Sequence, residues 1–296
     1  MKRDLFSLGR YNALLALLVV TVASCAADRV LYNKKSQFNQ IIVTEHDGLR
    51  TLRFEEGGAR QSLVKPGDPD YLGFAYTPVA FSGLALADNP QRFLVVGLGG
   101  GTMPMFLRQR YPQATIHAVD IDPDVIYVAK QFFGFREDAR MRAYAADGRR
   151  FIESAREPYD VIFLDAFGTS NVPPTLATVE FLTAVRKALR PGGLVIGNIW
   201  GRFSNPLYDS MVRTYQDVFD DLYILEVGGT ANRILLALPR KVNLTREEYV
   251  ALARKLGTAR KFPFDLGDIS RHGFEHADRP GPEGRVLRDA DIPASS

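Results

Sequence analysis

The stretch Arg92-Phe93-Leu94-Val95-Val96-Gly97-Leu98-Gly99-Gly100-Gly101-Thr102 carries the decision about fold. Phe93 to Val96 is a short unbroken apolar run, the pattern of a strand buried on both faces. It gives way to a glycine loop and then to a helical stretch from about Met103 to Arg110. A strand that turns into a helix through glycine lets backbone approach a ligand closely and aims free N–H groups at it, although plain structural turns use glycine too.

Working downstream, the same rhythm repeats. Ala114 to Val119 reads as a second buried strand, ending in Asp120-Ile121-Asp122-Pro123, with Pro123 suited to the first turn of a helix that runs to about Phe133. Arg140 to Ala145 is a third strand, followed by Asp147-Gly148 and a helix near 149–155. Tyr159 to Leu164 is a fourth, ending at Asp165; Glu180 to Leu189 is a helix stopped by Pro191-Gly192-Gly193; Leu194 to Ile199 is a fifth strand. Such alternation calls for an α/β architecture, a doubly wound and mostly parallel sheet with helices on both faces. A helix from Leu207 to Phe219, an antiparallel pair at Leu222–Val227 and Arg233–Leu238, and a helix from Thr245 to Leu256 complete the domain, the last with Thr245 as cap and Glu248 three residues on.

Upstream the pattern is different. Phe38 to Thr44 and Leu49 to Phe54 are strand candidates, and Asp47-Gly48 and Gly57-Gly58 are hairpin signals between and after them. Residues 28–65 therefore read as a small antiparallel β module. Residues 66–70 form a loop, and Tyr71 to Asp88 has helical spacing up to the stop at Asn89-Pro90. The α/β domain takes residues 66–262. Residues 263–296, rich in Gly, Pro and charge, read as a mobile tail.

At the N-terminus, Lys2, Arg3 and Arg10 precede an apolar run from Leu14 to Ala23, of signal-peptide length and short for a membrane span. Val22-Ala23-Ser24-Cys25 resembles the lipobox of bacterial lipoproteins, which makes Cys25 a lipidation candidate. Ordinary signal cleavage near 23–27 and an uncleaved anchor are the other readings. The lipoprotein and anchor readings put the chain in contact with a membrane through its N-terminus, on a side the sequence leaves open; ordinary cleavage removes the segment.

Composition narrows the rest. A net charge of +3, from 37 basic and 34 acidic residues, gives no case for nucleic acid as a partner. A single cysteine rules out a disulfide framework within the chain and a Cys-rich metal site. His272 and His276 share a spacing of four, but Gly273 and the Pro/Gly-rich context favour a solvated tail over a metal site. No metal is expected.

Three carboxylates give the glycine loop its meaning. Asp120 closes the second strand about 20 residues beyond the loop, where an acid commonly accepts from both ribose hydroxyls. Asp147, before Gly148, is placed to accept from an adenine amino group, and alone reads as a turn; Asp122 suits a helix cap. Asp165 ends the fourth strand. Ligands of open α/β sheets lie outside the strand carboxyl ends, so Asp120, Asp147 and Asp165 should converge on one crevice that binds a nucleoside.

These motifs, in this order from Ser36 to about residue 240, resemble the spermidine synthase family of aminopropyltransferases. The resemblance rests on Ser36-Gln37-Phe38-Asn39-Gln40-Ile41, Gln61-Ser62, the glycine loop, Val119-Asp120-Ile121-Asp122, Asp147-Gly148, and Tyr159-Asp160-Val161-Ile162 leading to Asp165. It implies a Rossmann-like, class I methyltransferase-like domain behind a small β module. It further implies decarboxylated S-adenosylmethionine as co-substrate, a small-molecule amine as acceptor, and a possible homodimer. Carried onto this chain, it makes Gln40, Gly97, Gly99, Gly100, Gly101, Asp120, Ile121, Asp147 and Gly148 the nucleoside-binding residues. Asp165 becomes the catalytic base, with Tyr76 and Asp165 on the amine side; helix packing is the competing reading for Tyr76.

The chain also departs from the family. Gly100 stands where the family has an aspartate that holds the aminopropyl arm. Tyr71 is followed by Leu72-Gly73 instead of His-Glu, a Tyr-Gln pair is Phe38-Asn39, and Gly168 replaces a second aspartate after Asp165. Three functions follow as expectations: aminopropyl transfer to an amine, methyl transfer from intact S-adenosylmethionine, and non-catalytic binding of a nucleoside or polyamine.

Overall fold

A computed structural model describes residues 28–168, 171–271, 273–277 and 284–292. The targeting segment, Cys25 and His272 lie outside the described residues. Four antiparallel strands come first: β1 (Arg29–Lys35), β2 (Gln40–His46), β3 (Leu49–Arg53) and β4 (Arg60–Val64), paired in that order. Asp47 and Gly48 link β2 to β3 with φ of 48° and 75°. Positive φ at both central residues matches the right-handed twist of a hairpin, and Asp-Gly is the pair that tolerates it.

Next come α1 (Tyr76–Ser82), β5 (Arg92–Val96), α2 (Thr102–Arg110), β6 (Thr115–Asp120), α3 (Pro123–Phe132), β7 (Met141–Ala145), α4 (Gly148–Glu153) and β8 (Tyr159–Leu164). They are followed by α5 (Val179–Lys187), β9 (Leu189–Trp200), α6 (Tyr208–Val218), β10 (Asp221–Glu226) and β11 (Asn232–Leu238). The chain closes with α7 (Arg246–Ala259), α8 (Leu266–Ile269) and β12 (Phe274–His276). The large sheet has the order β12-β10-β11-β9-β8-β5-β6-β7. Its β7-β6-β5-β8-β9 portion is parallel, and β11 runs antiparallel between β9 and β10. This is the doubly wound, class I methyltransferase-like sheet, preceded by the small antiparallel one.

Alternation along the strands explains the two layers. Phe93 and Val95 face one core, Leu94 and Val96 the other, and all are 2% exposed or less. Val161 and Phe163 against Ile162, and Leu236 against Leu235, repeat the division. Burying a side chain of this size contributes about 1.5–3 kcal/mol, so the pattern of alternate burial outweighs any single polar contact in fixing the sheet. Ile41, Val43 and Leu52 of the small sheet, and Phe54 just after β3, belong to the same apolar cluster as Phe93 and Val95. The β module thus shares its core with the α/β domain, which holds β4 over the glycine loop.

Three sequence expectations change. The helix expected over Tyr71–Asp88 begins only at Tyr76 and ends in a 3-10 turn at Gly83–Leu86; Asp68 holds the preceding segment in a turn, its carbonyl accepting from the Tyr71 N–H and its carboxylate from the Asp70 N–H. The fifth strand includes Pro191-Gly192-Gly193, and α5 stops earlier, at Lys187. The described part of the expected mobile tail is built into the fold. There β12 pairs with β10, His276 Nε2 lies 2.6 Å from Asp221 Oδ1, Leu287 is buried, and Asp289 forms an ion pair with Arg149 at 2.6 Å. Gly273, with φ of 70°, leads the chain into β12. Other expectations stand: Thr245 and Glu248 form a capping box, and Asp122 caps α3 by accepting from the Asp124 N–H at 3.0 Å. Among the described residues no helix is long and apolar enough to cross a membrane.

Candidate active site

The parallel strands end on one side of the sheet, and a cavity of about 460 Å³ opens there. Its walls bring together residues far apart in sequence: Asp120 from the end of β6, Asp147 beyond β7, Asp165 beyond β8, Asn198 and Trp200 from β9, and Asn232 from β11. The small sheet closes it through Gln61 and Ser62, the segment before α1 through Phe74, and the first residue of α1, Tyr76, completes the wall.

Close approach of backbone creates the floor. Gly97 has φ of 94°, and a Cβ there would sit 2.3 Å from the Asp165 carbonyl oxygen. Only glycine lets β5 end this near β8. Gly99 faces Ser62 Oγ in the same manner. The N–H groups of the loop are spent internally rather than left free. Leu98 N–H donates to Asp120 Oδ2 at 3.0 Å, Gly99 N–H also reaches Asp120, and Gly100 N–H donates to Ser62 Oγ at 2.6 Å. Asp120 accepts from the Asp122 N–H as well, at 3.0 Å. Burial raises Asp120 to about 6 against the pull of these N–H donors.

Asp165 is held from both sides. Tyr76 Oη donates to Oδ2 at 2.9 Å, and Asn198 Nδ2 to Oδ1 at 2.8 Å. Asn198 is oriented in turn by Asn232, whose Nδ2 donates to Asn198 Oδ1 at 2.9 Å. That bond fixes which face of the Asn198 amide meets the carboxylate. Burial raises Asp165 to about 6, more than the Asn198 and Tyr76 donors lower it. A carboxylate tuned upward, oriented and facing a cavity is equipped to take a proton.

A spermine/spermidine synthase domain model matches residues 75–215. A polyamine aminopropyltransferase of Vibrio vulnificus is 32% identical over 76% of this chain and 78% of its own length. The chain belongs to the spermine/spermidine synthase family. The eEF1A lysine and N-terminal methyltransferase of Bos taurus is 38% identical over 64% of the chain, which spans 30% of that relative's length. Among solved structures, human methyltransferase-like protein 13 in complex with SAH is similar with TM-score 0.59 and 33% identity, covering 64% of this chain and 94% of that one. A probable spermidine synthase of Corynebacterium glutamicum shares the fold at TM-score 0.69 and 18% identity, over 90% of this chain and 98% of that one.

Within this spermidine synthase-family cavity lie Gly97, Gly99, Asp120, Ile121, Asp147, Gly148, Tyr76 and Asp165. Three residues expected to bind the nucleoside lie elsewhere. Gln40 donates to Asn33 Oδ1 on the neighbouring strand, and Asn39 lines the cavity instead. Gly101 is the left-handed cap of α2, with φ of 76°. Gly100 is packed so that a Cβ would meet the Phe133 ring at 2.8 Å and Ser62 Cβ at 3.1 Å, so Phe133 occupies the room an aspartate would need. Asp147 lines the cavity and also caps α4, accepting from the Arg150 N–H at 2.9 Å. Of the two tyrosines, Tyr76 meets Asp165, whereas Tyr71 is not among the cavity residues. Sequence reasoning missed Asn198 and Asn232, since asparagines inside apolar strands carry no spacing signal. Ser62 was visible in Gln61-Ser62, but its bond to the glycine loop required the fold. Among the described residues no group of three or more His, Cys, Asp or Glu side chains could hold a metal ion.

Proposed function

We propose that this protein is an aminopropyltransferase-type enzyme, which transfers the aminopropyl group of decarboxylated S-adenosylmethionine to an amine. The observation that carries the reading is Asp165, raised to about 6 and clamped by Tyr76 and Asn198 in the wall of a nucleoside-sized cavity. The sulfonium supplies an already activated carbon. The amine nitrogen forms its bond to that carbon, the C–S bond breaks, and its electron pair stays on sulfur, leaving methylthioadenosine. The nitrogen passes a proton to Asp165. The chain's work is to position the amine and take that proton. Asp120 accepts from the ribose hydroxyls and Asp147 lies toward the base. Membrane attachment through residues 1–27, with lipidation at Cys25, goes with this reading as a proposal that mass spectrometry of the membrane-extracted protein tests.

One observation favours methyl transfer from intact S-adenosylmethionine as a second reading. Arg60 lines the cavity, and its side chain has no hydrogen-bond or ion-pair partner among the described residues. Its charge suits the carboxylate that intact S-adenosylmethionine keeps and the decarboxylated form lacks. The position at Gly100, where Phe133 leaves no room for an acid to hold the aminopropyl arm, points the same way. Product analysis separates the two. Incubation with both donors and a set of amines yields methylthioadenosine under the first reading and S-adenosylhomocysteine under the second. Arg60→Ala weakens S-adenosylmethionine binding about ten-fold while sparing the decarboxylated donor if the second is right.

A further inference from the structure

The two flanks of the cavity differ in what they offer an amine, and the inference drawn from this rests on the proposed transfer to an amine. Strand order puts β7, β6 and β5 on one flank and β8, β9 and β11 on the other. At about 4.8 Å between neighbours, β11 stands roughly 19 Å from β6 and roughly 10 Å from β8. Beyond Asp165, the wall is made by Phe74, Tyr76, Phe167, Asn198, Trp200 and Asn232. Phe74 and Tyr76 stack with centroids 5.7 Å apart, and Phe167 and Trp200 lie 5.7 Å apart at 37°. Asn198 and Asn232 direct their bonds to each other and to Asp165.

The acids among the described lining residues are Asp120, Asp147 and Asp165, and the first two are on the far flank. One amine head therefore finds Asp165 and aromatic faces, which favour an ammonium. A second ammonium would meet rings and carboxamides without an anion, and an unpaired charge removed from water is costly.

We infer that the acceptor is a monoamine with an uncharged, apolar remainder, an alkylamine or arylalkylamine, rather than an α,ω-diamine. The test is equilibrium binding to the full chain saturated with methylthioadenosine, using phenethylamine, n-butylamine, putrescine and a lysine-containing peptide. The monoamines should bind at least about ten-fold more tightly than putrescine, whose second charge stays unpaired. Putrescine binding as tightly as the monoamines, preference for the peptide, or no binding of any amine each overturns the inference. Binding is read without turnover, so absence of transfer in a parallel reaction counts against the proposed function and leaves the amine preference standing.

A gain-of-function variant gives a second handle. Thr230 lines the cavity at its exposed rim, and its Oγ1 accepts from the Asn232 N–H at 3.1 Å. Thr230→Asp keeps an acceptor for that N–H and adds the missing anion. Putrescine affinity should rise about ten-fold relative to n-butylamine in a variant that still binds methylthioadenosine. An unchanged preference contradicts the assignment of this wall.

Discussion

The nucleoside end and the acceptor end of the cavity use the same residue type in opposite ways. Asp120 is tied to main chain, through the N–H groups of Leu98 and Asp122, and so is locked to the path of the backbone. Asp165 is tied to side chains, Tyr76 and Asn198, contributed by other parts of the fold. Burial raises both to about 6. The difference teaches that one carboxylate is a fixture of the loop and the other an adjustable group, whose basicity two neighbouring side chains can set. Binding and chemistry are thereby separable by mutation.

The largest break is Asp165→Asn. It should lower transfer by about 10²–10⁴-fold, the range of a lost general base. The same change should stabilise the fold. A carboxyl raised above its unfolded value costs stability when ionised, so the gain is full above pH 6, up to about 3 kcal/mol, and fades as pH falls from about 6 toward 4. Chemical denaturation at pH 8 and pH 4 reads both the sign and the window. A stability loss at pH 8 would mean that Asp165 is held as a structural anion.

Gly97→Ala joins the two ends in one failure. Its Cβ would collide with Asp165 backbone at 2.3 Å in a left-handed conformation. A destabilisation of about 2–4 kcal/mol is expected, with binding and transfer lost together. Retention of either would show that the two strand ends move independently.

Tyr76→Phe sharpens the contrast on the acceptor side alone. The lost donor favours the ionised carboxyl, so Asp165 should rise above about 6 and the acid limb of kcat should move to higher pH, with transfer down about ten-fold. An unmoved limb would assign Tyr76 to packing.

The smallest effect belongs to Asp122→Ala, which removes the cap of α3 and the partner of Ser36 Oγ at 2.5 Å. Thermal unfolding should show about 1 kcal/mol lost, with the acceptor preference unchanged.

The same contrast governs what the sequence makes legible. The nucleoside end is local: strand, glycine loop and Asp120 follow one another, so spacing exposes them. The doubly wound sheet is legible for the same reason, because each strand announces itself by an apolar run. The acceptor end is assembled from β8, β9, β11 and the segment before α1, so Asn198, Asn232 and Trp200 acquire meaning only once β11 is inserted beside β9. Gln40 shows the opposite error. It sits in a matching motif, yet the register of β1 and β2 sets it opposite Lys35, and it bonds to Asn33. Composition misled over 263–296, since what anchors the described part is a strand edge and a few buried or paired side chains rather than an apolar run.

Titration of methylthioadenosine into the wild type, Asp165→Asn and Asp120→Ala tests the division of labour most directly. Asp165→Asn should bind the nucleoside within a few-fold of wild type. Asp120→Ala, with ribose acceptors removed and loop N–H groups left unpaired, should lose about ten- to hundred-fold. Equal losses in both variants, or tight binding by Asp120→Ala, would contradict the account.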